Sequence, residues 1–355
     1  MSQDPLIAEL CERLRAVWHT DPSRCEATAD GFDWWPGDQR VSVRLRRSDD
    51  PVDPTGIRLS VSTEFLHGVD WSVEDASDVV RHLGLMAPCY SVRHVSDEVA
   101  KRLGVSDAVR QSVRFVSTVY VRESTLAWLP ELFARLAMLT ICDAHHRAGK
   151  AAELMAAEAS RSAPGGGEAS GHRDKLLDVV ESLFLPAGEA PSRWAGSDEF
   201  KELADTYGSS EICYGDGDDK GATLETVFAN DTAIVELRSA EPHPMMGAGL
   251  LVGLQLPFFG SFDEIAAFCE RVGHAQATTY TGAPLLGTWL PKEVQPELYC
   301  PANACFIPNL LYKRGLATNL ALWQLTHARW VRSTFWPEAV DDSISAIMER
   351  RFSAA

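Results

Sequence analysis

No apolar run in these 355 residues approaches the roughly 18 consecutive positions that a membrane-crossing helix requires. The start, Met1-Ser2-Gln3-Asp4-Pro5, lacks the basic and then apolar stretches of a secretory leader. Basic residues are scarce: 33 Lys and Arg face 50 Asp and Glu, for a formal net charge of −17. A nucleic-acid binder needs a cationic footprint to displace counterions from phosphates, so that class is excluded. The densest basic stretch, Arg44, Arg46 and Arg47, is answered at once by Asp49, Asp50 and Asp53, as on a solvated strand face. The eight cysteines contain no CxxC pair and read as buried, reduced thiols. GxSxG, Walker A and HExxH motifs are all missing. The expectation is a cytoplasmic protein without membrane insertion, cofactor, metal or catalytic residue.

What is present is an ordinary globular composition, 45% hydrophobic and 23% charged, in a chain long enough for two cores. The segment Ser160-Arg-Ser-Ala-Pro-Gly-Gly-Gly-Glu-Ala-Ser-Gly171 is rich in Gly, Ser and Pro and has no periodicity, so it reads as a linker. The chain divides there into residues 1–159, a linker over 160–172, and residues 173–355. Both halves are acidic.

The halves resemble each other. In the first, Ile57, Leu59, Val61, Thr63 and Phe65 alternate with polar residues, the period of a half-buried strand. In the second, Leu250, Val252, Leu254 and Leu256 do the same. Ser72-Val-Glu-Asp-Ala-Ser-Asp-Val-Val-Arg-His-Leu-Gly84 then matches Ser261-Phe-Asp-Glu-Ile-Ala-Ala-Phe-Cys-Glu-Arg-Val-Gly273 without a gap. Both predict a helix opened by a capping box, Ser72 with Asp75 and Ser261 with Glu264. Both are expected to end on their glycine. Their buried stripes include Val79, Val80 and Leu83, and Phe262, Ile265, Phe268 and Val272.

The strand over 113–122 aligns with 305–314, bringing Tyr120 onto Tyr312 and Arg122 onto Arg314. Long helices are predicted over about 126–159 and 316–336. Each half opens with an amphipathic helix, the second one carrying Leu176, Leu177, Val180, Leu183 and Phe184. Further strands fall at 40–47 and 232–238. Consecutive strands with short turns predict an α+β fold, two tandem modules that each carry an antiparallel sheet with packed helices.

This order, helix, strands, capped helix, two strands, helix, resembles the bacterial type III secretion chaperones and the related YbjN-like (TY-Chap) proteins. The residues that carry the resemblance are the two capped helices at 72–84 and 261–273 and the alternating strands before them. The resemblance implies a small acidic binder of partner polypeptides, with the tandem pair acting as a covalent counterpart of a dimer.

Candidate chemical sites are few. Cys142 and His146 in Cys142-Asp-Ala-His-His-Arg147 lie four apart on a helix, but zinc needs three or four ligands and the segment offers no others. Cys300-Pro-Ala-Asn-Ala-Cys305 reads as a turn flanked by two half-buried cysteines. Gly215-Asp-Gly-Asp-Asp-Lys-Gly221 resembles the start of a calcium loop, yet Lys220 holds the fifth ligand position and Val227 the twelfth. It reads as a polar hairpin turn. Gly247-Ala-Gly-Leu-Leu-Val-Gly253 resembles a dinucleotide loop but lies inside a strand pattern.

Aromatic residues give the remaining signal. Trp34 and Trp35 are adjacent on a strand and so point to opposite faces. Phe258 and Phe259 occupy the turn before the second capped helix. These four are the candidate partner-binding residues. The expected function is a non-catalytic protein-binding role, an intracellular chaperone or adaptor holding a client polypeptide segment. The alternative is an enzyme or small-molecule binder with a pocket that the sequence does not announce.

Overall fold

The computed structural model describes residues 4–48, 53, 55–70, 91–93, 112–184, 191–208, 213–228, 231–239, 242–243, 246–278 and 287–335. The helix expected over 72–84 lies outside them. The chain divides into two compact units, Met1–Leu183 and Phe184–Ala355.

Unit 1 runs α1 (Pro5–Trp18), β1 (Cys25–Thr28), β2 (Gly31–Trp34), β3 (Val41–Arg47), β4 (Ile57–His67), β5 (Ser91–Arg93), β6 (Val113–Val121), α2 (Leu129–Leu154), β7 (Glu158–Ala159) and α3 (Lys175–Phe184). Unit 2 runs α4 (Glu199–Gly208), β8 (Cys213–Gly217), β9 (Gly221–Phe228), β10 (Asp231–Arg238), β11 (Gly249–Gln255), α5 (Phe262–Thr278), β12 (Thr288–Gln295), β13 (Leu298–Pro308) and α6 (Leu316–Phe335).

The two sheets have one topology. The first is ordered β1-β2-β3-β4-β6-β5, with β7 added on β4. The second, read from its matching edge, is β8-β9-β10-β11-β13-β12. Every pairing is antiparallel, so the fold is α+β with two sheet modules.

Local sequence explains the elements. Asp4 caps α1 by accepting the Leu6 amide at 2.9 Å, and Pro5 holds the first helical position. The helix buries Leu10, Cys11, Leu14 and Trp18 on one stripe. In β4 the predicted alternation is observed: Ile57, Leu59, Val61, Thr63 and Phe65 are buried, while the residues between them are half-buried. The loop at 215–221 is the expected hairpin turn, in which Asp218 Oδ1 accepts the amides of Lys220 and Gly221.

Cross-strand rows show which face the helices cover, because residues directly opposite share a face. In unit 2 one row is Gly215, Leu224, Val235, Leu254, Asn303 and Trp289. A Cβ on Gly215 would lie 3.1 Å from Ala204 of α4. Asn303 accepts from Gln324 of α6, and Trp289 donates to Gln276 of α5. All three helices therefore pack on one face. In unit 1 the row Phe32, Val43, Val61, Ser117 meets Trp18 of α1 and Thr140 of α2.

Several expectations are corrected. The helix at Lys175–Phe184 does not open the second module. It falls with unit 1 up to Leu183, and α4, which the sequence reading missed, precedes β8 as α1 precedes β1. Helix α5 runs through Gly273 to Thr278, since a glycine within a helix costs only about 1 kcal/mol against alanine. Cys300 and Cys305 lie within β13, not a turn; an odd spacing on a strand points them to opposite faces, and both are free thiols. Tyr120 lies in β6, but Tyr312 lies beyond the end of β13. Val121 pairs with Ile57 at the end of β6, and Pro308 with Gly249 at the end of β13, so the tyrosines are not equivalent.

The Gly/Ser/Pro segment is fastened to unit 1. Ser162 donates its amide to Asp38 O at 2.6 Å, Gly171 to Asp38 Oδ2 at 3.0 Å, and Asp174 to Pro36 O at 2.6 Å. Trp35 Nε1 donates to Ser162 Oγ at 3.0 Å.

Trp34 and Trp35 do point to opposite sides, and both sides are covered. Trp34 stacks on Trp18 with centroids 5.4 Å apart and is fully buried. Trp35 lies under the 160–174 segment and is 3% exposed. Replacing Trp34 by Ser is expected to lower the stability of unit 1 by about 3–5 kcal/mol, read as a lower urea midpoint.

Candidate functional site

The turn between β11 and α5 brings an aromatic group to the surface. Leu256 ends the strand in the core. Gly260 then pairs with Tyr299 through reciprocal backbone bonds of 3.1 and 2.9 Å, which pins the turn to β13. Ser261 starts the helix, with Glu264 Oε2 accepting its amide at 2.9 Å and its hydroxyl at 2.8 Å. This is the reach-back half of the expected capping box. The Ser261 amide and hydroxyl hold the Glu264 carboxyl below the usual range.

Between these anchors stand Phe258 and Phe259. Phe258 is half-buried and meets Phe268 of α5 at 6.1 Å. Phe259 is 53% exposed. Phe262 is half-buried, not part of a buried stripe as expected, and sits edge-on to Tyr299 at 5.4 Å. Phe268 continues to Phe335 of α6 at 5.7 Å. Next to the exposed Phe259 in sequence, Phe258 thus begins a ladder of rings that reaches the helix layer. Acidic side chains border it: Asp263 and Glu264 are exposed beside it, and exposed Glu293 lies directly opposite Tyr299.

Of the four predicted partner-binding residues, only Phe258 and Phe259 come together at the surface. Trp34 and Trp35 are core. Tyr299 was not singled out by the sequence, because its partner Phe262 read as one more residue of a helical stripe. The signal available was the cluster of four aromatics, Phe258, Phe259, Phe262 and Phe268, around a single cap.

The remaining candidates differ in character. Cys142 lies on α2, and burial pushes its thiol up to about 12, with Glu181 adding to the effect. It is a neutral thiol at physiological pH and a poor nucleophile. Burial pushes the neighbouring His145 down to about 4. Asp143 is buried in an ion pair with Arg147, and His146 pairs with Glu181 at 3.1 Å. Among the described residues no group of three His, Cys, Asp or Glu is placed to hold a metal ion. At the β8–β9 hairpin an open depression of about 520 Å³ is lined by residues that include Asp216, Asp218, Lys220, Glu225 and Arg238. Its charges are mixed, and Asp218 is occupied by the backbone amides of the turn.

Unit 2 also buries polar groups between sheet and helices. Gln324 Nε2 donates to Asn303 Oδ1 at 3.0 Å, and Trp289 Nε1 donates to Gln276 Oε1 at 3.0 Å. His327 is fully buried beside the rings of Trp289 and Trp330, 5.1 and 5.6 Å away. Burial holds its imidazole neutral and pushes it down to about 3. In the unfolded chain a histidine titrates near 6.5. Above that pH both states are neutral. As pH falls below it the unfolded chain takes up a proton that the folded one refuses, so stability is lost at about 1.4 kcal/mol per pH unit. The wild type is expected to lose about 2–3 kcal/mol more than His327→Gln between pH 6.5 and 4.5, measured by urea denaturation at each pH.

No helix among the described residues is long and apolar enough to cross a membrane. Comparison with protein-family models gives no match. Comparisons with curated proteins and with solved structures give none either.

Proposed function

We propose that the protein is a non-catalytic polypeptide-binding protein, an intracellular chaperone or adaptor of the secretion-chaperone type that holds a client segment. The observation that carries this reading is the exposed side chain of Phe259, which follows Phe258 in a turn where Phe258 meets Phe268, Phe268 meets Phe335, and Phe262 meets Tyr299. Covering Phe259 returns roughly 25 cal/mol per Å² of apolar area removed from water.

The acidic border and the net charge of −17 favour client segments that combine apolar and basic residues. Opposite charge raises the encounter rate and repels nucleic acids. Among the described residues, α1 and α2 of unit 1 and the three helices of unit 2 each pack on one face of their sheet. Tandem copies of one module in one chain support the covalent-dimer reading of the family resemblance.

Phe259→Ser tests the proposal directly. The substitution removes exposed surface, so the melting temperature is expected to stay within about 0.5 kcal/mol equivalent of wild type. Capture of a client, or suppression of aggregation of an apolar, basic model substrate, is expected to fall several-fold. Unchanged capture by the folded variant, or no holding activity in wild-type protein, would rule out this surface or this function respectively.

A further inference from the structure

Helix α6 delivers the chain to the aromatic turn. Phe335, its last residue, meets Phe268 of α5 edge-on at 5.7 Å, and Phe268 meets Phe258 at 6.1 Å. Two ring contacts therefore separate the end of α6 from the residue beside Phe259. Residues 336–355 follow directly in the sequence and lie outside the described ones.

The surface at the turn offers more than one ring. Gly260 pairs with Tyr299, and Tyr299 lies directly opposite Glu293. Phe259 and Val294, the chain neighbours of the two ends of that row, are 53% and 38% exposed. Half-buried Phe262 meets Tyr299 in the middle of it. Charge is divided across the region. Asp263, Glu264, Glu293 and Glu297 are exposed around the turn and the β12–β13 hairpin. Cations gather where the chain leaves α6. Arg271 stands over the Phe268 ring at 5.8 Å, and Arg329 and Arg332 lie in the last two turns of α6.

The sequence beyond Phe335 matches both features, and in the same order. Pro337 separates this stretch from α6, since proline disfavours helix at the residue before it. Glu338, Asp341 and Asp342 come first, nearest in the chain to the arginines of α6. Ile344, Ile347, Met348 and Phe352 come next, at the i, i+3, i+4 and i+8 spacing of one helical stripe. Arg350 and Arg351 stand at its far end, with the charge that the acidic border selects. The residues over 336–343 reach roughly 27 Å when extended, ample to bring the stripe back over the turn.

We infer that residues 344–352 of this same chain are the resident occupant of the Phe259 surface. The stripe from Ile344 to Phe352 covers Phe259 and Val294, and Arg350 and Arg351 lie toward Glu293 and Glu297. The site is self-covered, and a client enters by displacing the segment. This rests on the reading of the Phe259 surface proposed above and adds its regulation. A short tether holds its segment at an effective concentration on the order of millimolar. A segment with a free dissociation constant of about 0.1 mM is then docked about nine-tenths of the time and weakens a client about 10-fold.

The test uses the full-length chain and a fluorescein-labelled peptide of residues 340–355. Ile347→Asp with Met348→Asp breaks the resident stripe and is expected to raise peptide affinity about 10-fold over wild type. Arg350→Glu with Arg351→Glu is a second release variant that keeps the stripe, with an expected rise of about 3-fold. Circular dichroism and melting confirm that each is folded. Adding Phe259→Ser to the first variant is expected to abolish the gain. The inference is overturned if both folded release variants take up the peptide no better than wild type, or if Phe259→Ser leaves the uptake unchanged. It is also overturned if wild-type protein forms dimers that the release variants lose, since the segment then covers a second copy. Capture of an apolar, basic model substrate is measured on the same proteins. Capture that depends on Phe259 but does not rise in the release variants overturns self-covering and leaves the client site standing. Peptide uptake through Phe259 without client capture in any variant supports self-covering and removes the client reading.

Discussion

Unit 1 is organised around a single side chain, Trp18. It closes α1, stacks flat on Trp34 of β2 at 5.4 Å, meets Phe32 edge-on at 6.2 Å, and donates from Nε1 to the Ala134 carbonyl of α2 at 2.9 Å. One residue thus joins the first helix, the sheet and the long helix. An aromatic pair of this kind contributes about 0.5–1.5 kcal/mol beyond the area it buries, and the indole N–H would cost more if left unpaired in the interior. The left-handed residue that follows, His19, stops the helix there, which fixes where the ring sits.

The same sheet order in both units is used differently on the faces away from the helices. In unit 1 that face carries half-buried Ser42, Arg44, Ser60, Ser62, Glu64 and Arg114, with Arg114 and Glu64 paired at 3.1 Å. In unit 2 it carries half-buried Thr223, Ile234, Glu236, Leu251, Gly253, Gln255 and Ala304, with Gln255 donating to Glu236 at 3.1 Å. The helix–sheet interface differs as well. Among the described residues, the helices of unit 1 meet its sheet through the buried hydroxyl pair Ser117–Thr140, whereas those of unit 2 do so through the amides of Gln276, Asn303 and Gln324 and the imidazole of His327.

Much of this architecture was legible because sheet burial writes a period of two into the sequence. The alternations in β4 and β11 gave both strands and their faces, and the cap at Ser261 gave the start of α5. Errors arose where local pattern and tertiary context disagree. Leu176, Leu177 and Val180 have the stripe of an opening helix, and nothing local reports that the helix docks backward onto unit 1. Helix α4 is short, with Phe200, Leu203 and Ala204 as its buried residues, too weak a stripe to find. The tryptophans misled because opposite faces of a strand do not imply that one is wet; the 160–174 segment covers Trp35 from a distance of over a hundred residues. That segment looked like a free linker because glycine-rich sequence conceals how many backbone amides it can donate.

Strand β12 ends its sheet, and an edge strand offers unpaired backbone groups to any extended chain. Here Pro291 sits in the middle of β12, directly opposite Pro301 of β13, and Lys292 and Glu293 follow it. Proline removes an amide that a docking strand would need, and the charges resist a second edge. This edge therefore carries a built-in barrier against stacking edge to edge with its own copies.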